Sequence, residues 1–144
     1  MSGISEFGVA GQRPDFYRFH QGEKVLPFAD AEYEARLTKL RAVMADEGID
    51  ACVLTSMHNV SYYSGFLYCA FGRPYAQVVT ATETVTFSAG IDAAQPWRRG
   101  YGDNITYTDW QRNNYWRAIQ SKSIGDRGGG LKWIGYCIGT NLVI

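Results

Sequence analysis

The sequence has no excess of either charge. Its 144 residues include 14 lysines and arginines and 14 aspartates and glutamates, so the formal net charge is zero. No run of basic residues extends beyond the pair Arg98-Arg99. Proteins that bind nucleic acid generally concentrate lysine and arginine into a basic patch that neutralises phosphates. The composition therefore argues against a nucleic-acid partner.

Cysteine and histidine are also scarce, with three cysteines and two histidines in the whole chain. Cys52, Cys69 and Cys137 are widely spaced and form no C-x-x-C pair, which excludes a disulfide framework or a cysteine-rich zinc site. His20 has no ligand-type neighbour at metal-binding spacing, and His58 is expected to brace a turn. We therefore expect no metal site and no cofactor.

Several sequence motifs that are typical of enzyme active sites are missing. There is no G-x-S-x-G, no P-loop and no G-x-G-x-x-G. The run Gly128-Gly129-Gly130 has no phosphate-binding context and is interpreted as a linker. Asp92, Asp103 and Asp109 lie near predicted turns, where aspartate usually bonds to nearby backbone. No catalytic residue is predicted in this chain.

Signals for membranes and secretion are absent too. No apolar stretch approaches the length of a membrane span, and no charged region followed by an apolar block opens the chain. These features predict a cytoplasmic protein with no membrane partner.

What is present is typical of one globular α/β domain, since 46% of the residues are hydrophobic and 19% are charged. Residues 30–47 are predicted to form a helix, with Asp30 as its cap and Gly48 as its left-handed stop. One apolar stripe runs along that helix at a spacing of three or four residues: Tyr33, Leu37, Leu40 and Met44. The run 49–55 that follows is typical of a short buried strand.

The rest of the pattern extends this α/β order. Residues 75–80 and 84–88 predict a hairpin, and 93–99 predict a short helix limited by Pro96. A strand at 105–108 and a helix over 109–120 would follow. The fold class is therefore α/β with a mixed sheet flanked by helices.

The segment from residue 58 to 75 is rich in aromatic residues but has no clean helix or strand period. It is interpreted as an irregular connection that packs tightly or holds a ligand. Arg73 stands between Gly72 and Pro74, in a position to bind a carboxylate with two parallel hydrogen bonds, and Phe71 would lie against the same ligand. The alternative is that Phe71 belongs to the packed underside of the loop and that Arg73 forms a surface salt bridge.

The blocks N-V-S-Y-Y-S-G-F, F-G-R-P-Y and Q-P-W-R-R resemble the amino-terminal domain of creatinases, within the creatinase, prolidase and aminopeptidase P superfamily. The resemblance covers residues 19 to 120. It implies ribonuclease H-like layering and a homodimeric parent enzyme that hydrolyses creatine to sarcosine and urea without a metal. It also implies that Phe71 and Arg73 bind substrate in the partner subunit's active site, with Arg73 on the creatine carboxylate.

The resemblance fades after residue 120, so the expected division is an arm at 1–27, a creatinase-type domain at 28–120 and an atypical tail at 121–144. The family's catalytic pita-bread domain is not found in this sequence. The chain by itself is therefore expected to be an inactive, truncated creatinase. Two other hypotheses remain: the equivalent domain of a metal-dependent Xaa-Pro peptidase or prolidase, and a stand-alone binding or assembly module.

Overall fold

The computed structural model describes residues 22–67, 73–92, 94–107, 115–119 and 134–137. In these ranges the chain forms a five-stranded sheet with helices packed on its two faces, which confirms the predicted mixed α/β class. The elements in chain order are α1 (Asp30–Asp46), β1 (Ala51–Leu54), α2 (Met57–Ser64), β2 (Ala76–Thr80), β3 (Thr84–Ala89), α3 (Ala94–Arg99), β4 (Asp103–Tyr107) and β5 (Ile134–Cys137). A 3₁₀ turn, Gly90–Asp92, precedes α3, and residues 115–119 are helical.

The predicted first helix is confirmed as α1. The four residues of its apolar stripe are all buried: Tyr33, Leu37, Leu40 and Met44. The predicted stop is also confirmed, since Gly48 has φ of +66° directly after the last turn. The predicted cap was wrong, because Ala29 occupies the N-cap and Asp30 is already helical. In the first turn the Asp30 carboxylate still lies at the positive end of the helix dipole.

Helix α2 (Met57–Ser64) occupies the first part of the segment that the sequence predicted as an irregular connection, so that prediction was wrong for residues 58–64. The Ser56 hydroxyl accepts a hydrogen bond from the Asn59 amide at 3.2 Å, and Gly65 ends the helix in the left-handed region. His58 lies exposed on this helix instead of bracing a turn. Eight residues are too few for an apolar period to stand out among so many aromatic side chains.

The strand order is β4-β3-β2-β1-β5. Strands β1, β2 and β3 pair antiparallel, whereas β3 with β4 and β1 with β5 pair in parallel. The predicted hairpin is confirmed as β2 and β3, whose turn is closed by the Thr80 amide donating to the Glu83 carbonyl at 2.9 Å. Strand β5 lies inside the predicted tail; the apolar end at 142–144 lies outside the described residues.

The two faces of the sheet carry different cores. Alternate residues of β1 point to opposite faces, with Ala51 and Val53 on the side of the helical segment 115–119 and with Cys52 and Leu54 on the side of α1 and α2. This explains why β1 is apolar at every position. None of the described helices has the length and apolar character needed to span a bilayer.

A buried polar network fixes the register of β3 and β4. The Asn104 amide donates to the Thr86 carbonyl at 3.2 Å and to the hydroxyls of Thr86 and Ser88 at 3.0 and 3.3 Å. Buried polar groups are stable only when they are hydrogen-bonded in this way. The network therefore holds in place the two strands that flank α3 in the chain.

Candidate functional site

Arg73 lies where the chain enters β2, and its guanidinium group is bound to the Asp92 carboxylate. Nε lies 3.0 Å from Oδ2, and Nη2 lies 3.5 Å from Oδ1. Asp92 ends the 3₁₀ turn that follows β3. Because β2 and β3 are antiparallel, with Ala76 opposite Phe87, the start of β2 and the end of β3 lie at the same end of the sheet. The hairpin thus brings together two residues that are 19 positions apart.

Two tyrosine hydroxyls hold the backbone on which Arg73 stands. Tyr107 donates to the Pro74 carbonyl at 2.7 Å, and Tyr115 donates to the Tyr75 carbonyl at 3.3 Å. The two rings pack edge to face with centroids 5.6 Å apart. Pro74 further restricts the chain, since its ring fixes φ. Arg73 is therefore presented from a fixed backbone.

The Arg73 side chain itself is open to solvent. It is 44% exposed, against 24% for the side chain of Asp92. An ion pair at such a position contributes little to stability, typically about 0–1 kcal/mol. It does restrict the orientation of the planar guanidinium group, which is the group that binds carboxylates in pairs of hydrogen bonds. The surface salt bridge that the sequence left open as an alternative is therefore present, and its geometry is the one expected of a carboxylate-binding arginine.

The structure describes only some of the other candidate residues that the sequence singled out. Phe71, His20 and Asp109 lie outside the described residues. Asp103 behaves as predicted, because its side chain accepts a hydrogen bond from the neighbouring Asn104 amide at 2.8 Å. Asp92, also predicted near a turn, forms an ion pair with Arg73 across the hairpin.

The carboxyl end of α3 is fixed by a second cation, Lys24. Its ammonium group donates to the carbonyls of Gly100 and Gly102 at 3.2 and 2.7 Å, and it lies 3.9 Å from the centre of the Trp97 ring. Burial lowers the pKa of Lys24, although the nearby carboxylates of Asp103 and Asp30 oppose that shift. Lys24 therefore ties the chain ahead of α1 to the turn between α3 and β4.

Tyr101 joins the same turn to α1. Its hydroxyl donates to the Glu34 carboxylate, and its ring stacks on Tyr33 with centroids 5.2 Å apart. Burial, and then the bond to Glu34, raise the pKa of Tyr101 to about 12. Both effects disfavour the phenolate, so this tyrosine acts as a packed hydrogen-bond donor and is a poor candidate for acid–base chemistry at neutral pH.

Sequence reasoning missed the residues that support Arg73. Tyr107 falls in a predicted strand and Tyr115 in a predicted helix, and the sequence alone gave neither a further role. Their hydroxyls hold the backbone just before β2 only because the folded chain brings both residues next to it. The antiparallel hairpin could have suggested Asp92, since a residue just after β3 must lie near one just before β2. Within the parts of the chain that the structure describes, no group of three or more His, Cys, Asp and Glu side chains could hold a metal ion.

Comparisons with known proteins agree with this architecture. A family model described as the Creatinase/Prolidase N-terminal domain matches residues 36–120, more than half of the chain. A curated creatinase from Bacillus sp. (strain B-0618) is 52% identical over 109 residues, which make up 75% of this chain and 26% of that protein. The chain thus spans about a quarter of the length of that relative.

Solved structures with the same fold share much less sequence. A proline dipeptidase from Streptococcus pneumoniae superposes with a TM-score of 0.60 at 17% identity, covering 70% of this chain and 72% of that one. The N-terminal domain of an Xaa-Pro dipeptidase from Lactobacillus brevis has a TM-score of 0.57 at 17% identity, with coverage of 70% and 75%. At these identities the likeness concerns the fold alone. The family match and the fold together establish that this chain belongs to the creatinase/prolidase N-terminal domain family.

Proposed function

We propose that this chain is the N-terminal domain of a creatinase, the homodimeric enzyme that hydrolyses creatine to sarcosine and urea. Its role there is to contribute to the dimer and to place Arg73 and Phe71 in the partner subunit's active site. The observation that carries the proposal is the 52% identity to a curated creatinase over 109 residues. Solved relatives below 25% identity support the fold only and do not bear on the substrate.

The geometry of Arg73 supports the proposed contact with the creatine carboxylate. A guanidinium group has five N–H donors in a fixed plane, and the Asp92 pair involves Nε and Nη2. Asp92 therefore positions the plane of the group, and a second carboxylate can share its donors. Hydrogen bonds to charged groups contribute about 1.5–3 kcal/mol each. A contact of this size is enough to select a substrate that ends in a carboxylate.

Phe71 would act on the other end of the same substrate. Creatine carries a guanidinium group, and the face of an aromatic ring attracts such cations within about 6 Å. Phe71 precedes Arg73 by two positions in the sequence, so both contacts would come from one short stretch of the chain. The proposed clamp thus grips the anionic end with Arg73 and the cationic end with Phe71.

The test is a chimera in which this domain replaces the matching region of the Bacillus creatinase. Arg73→Ala should lower kcat/KM for creatine by roughly 10- to 150-fold, mainly through KM, because a charged contact of about 1.5–3 kcal/mol is lost. Lys39→Ala, an exposed site on α1, is the matched control and should leave kcat/KM unchanged. An unaltered kcat/KM in the Arg73→Ala chimera would remove the clamp from the proposal.

Mixed dimers test whether the contact crosses between subunits. Subunits with Arg73→Ala are combined with subunits inactivated in the remaining region of the enzyme, and activity should return because one site per dimer then has both intact halves.

A second chimera, built on a proline dipeptidase, addresses the competing hypothesis. Metal-dependent Xaa-Pro cleavage in that chimera, together with an inactive creatinase chimera, would favour the peptidase reading.

A further inference from the structure

A cavity of about 570 Å³ lies at the carboxyl end of α3, away from Arg73. Its walls come from the chain ahead of α1, from the end of α2 and from the last turn of α3. The lining residues are Glu23, Val25, Leu26, Pro27, Gly65, Phe66, Leu67, Arg98 and Arg99. Small-molecule sites usually have volumes of about 300–1,000 Å³ and combine apolar walls with a few polar groups. This cavity has both properties.

Its two arginines form no ion pair with any carboxylate in the part of the chain that the structure describes. Arg98 and Arg99 are exposed, and within the described residues neither forms an ion pair. By contrast, other arginines of the domain are paired, with Arg36 bound to Glu32 at 2.9 Å and Arg41 lying 3.6 Å from Glu34. Two arginines that line one cavity and form no ion pair within the described residues are suited to bind an anion.

The wall beside the arginines is apolar and unusually open to water. Val25 and Leu67 are each 69% exposed, whereas Phe66, which also lines the cavity, is buried. Covering such aliphatic side chains with an apolar group is favourable by about 25 cal/mol per Å². Glu23 is the one acidic residue of the lining, so two arginines and one glutamate give a formal charge of +1. The cavity therefore combines a cationic end with an apolar surface.

The backbone around the cavity is fixed by hydrogen bonds that do not involve its arginine side chains. The Val25 amide donates to the Arg98 carbonyl at 2.8 Å, and the Tyr101 amide donates to the Ser64 carbonyl at 2.7 Å. The first bond joins the chain ahead of α1 to α3, and the second joins α2 to the turn after α3. A preformed site of this kind loses less conformational freedom when a ligand binds.

We propose that this cavity binds a small organic monocarboxylate with an apolar tail. Arg98 and Arg99 hold the carboxylate, and the tail covers Val25 and Leu67. Arg73 is not among the residues that line this cavity, and the proposal does not depend on the function proposed for Arg73. Glu23 limits the site to a single negative charge, because a second one would meet a carboxylate.

The experiment is a titration of the full 144-residue chain with 4-phenylbutyrate, followed by ¹H–¹⁵N NMR. A ligand of this size is expected to bind with a Kd of about a millimolar or tighter. Saturable shifts should appear at the amides of Val25, Leu67, Arg98 and Arg99. The neutral analogue 4-phenylbutyramide has the same shape and should bind at least about tenfold more weakly, because it lacks the charge-assisted bonds.

Substitutions that are expected to change Kd in opposite directions make the test more specific. Arg98→Ala with Arg99→Ala should raise Kd about tenfold or more, and Glu23→Gln should lower it by roughly two- to fivefold, since a like charge is removed. Arg98→Lys with Arg99→Lys keeps the charge and should remain within a few-fold of the parent. Lys39→Ala removes one positive charge elsewhere and should have no effect.

Three results would overturn the proposal. The amide could bind as tightly as the acid, the double alanine variant could keep its Kd within twofold, or Glu23→Gln could weaken binding. The lysine variant serves as a folding control. Replacing Arg98 and Arg99 with lysine leaves the two backbone hydrogen bonds described above in place. Amide dispersion in the ligand-free spectrum of each variant verifies that it is folded.

Discussion

The two ends of helix α3 are held by different kinds of contact. At the amino end, Asp92 reaches across the hairpin to the exposed side chain of Arg73. At the carboxyl end, backbone groups dominate: Gly100 and Gly102 present carbonyls to Lys24, and Gly102 has φ of +84°. The first contact is between two partly exposed side chains. The second depends on a backbone path that few residues can follow.

This difference predicts that the two ends of α3 contribute unequally to stability. Surface ion pairs contribute about 0–1 kcal/mol, whereas a left-handed glycine packed against backbone tolerates almost no change. We therefore expect changes to the left-handed glycine or to the Lys24 contact at the carboxyl end to lower the free energy of unfolding. Substitutions at the amino end should leave the domain folded and alter how Arg73 binds a carboxylate.

The largest effect is expected for Gly102→Ala. A Cβ at this position would lie 2.6 Å from both the carbonyl oxygen and Cγ2 of Thr84, and the backbone has positive φ. The strain and the overpacking together should lower the free energy of unfolding by roughly 2–5 kcal/mol. Urea unfolding followed by circular dichroism measures this change.

Gly48→Ala is the matched control for that substitution. Gly48 also has positive φ, +66°, but no atom lies within 4 Å of a Cβ built there. Its replacement should therefore reduce stability by only about 1–2 kcal/mol, from the backbone conformation alone. Equal losses at the two glycines would show that packing against β3 does not matter at the carboxyl end of α3.

A smaller loss is expected for Lys24→Met. The methionine keeps the apolar stem but leaves the carbonyls of Gly100 and Gly102 without their charged donor and removes the contact with the Trp97 ring. We expect a decrease of about 1–2 kcal/mol in the free energy of unfolding. Lys39→Met on the exposed side of α1 should stay within about 0.5 kcal/mol of the parent. A neutral result for Lys24→Met would mean that the backbone alone holds this end.

The smallest effect on stability is expected for Asp92→Asn. Both side chains of its pair are partly exposed, so the loss should be below about 1 kcal/mol. In the creatinase chimera the same change should lower kcat/KM for creatine by roughly two- to tenfold, because Arg73 must then be ordered by the substrate itself. A loss of stability as large as that of Lys24→Met would erase the distinction between the two ends of α3.

Local patterns in the sequence predicted most of the scaffold. The apolar stripe of α1, the continuous apolar run of β1 and the turn between β2 and β3 each carry a periodicity or a length that indicates one structure. Helix α2 was missed, because its signal lies in the cap residues Ser56 and Gly65 and not in its short, aromatic interior. Asp30 was taken for a cap because a capping residue and a first-turn residue are chemically alike, and one position separates them.

The sequence by itself determined the class of fold and the hairpin, and it singled out Arg73 as a candidate, since each follows from the order and chemistry of neighbouring residues. Only the tertiary structure decided what surrounds that arginine. Asp92, Tyr107 and Tyr115 come from three later segments, and the sheet order brings them to the entrance of β2. The pairing of strands that are distant in sequence set these contacts, and no local periodicity encodes that pairing.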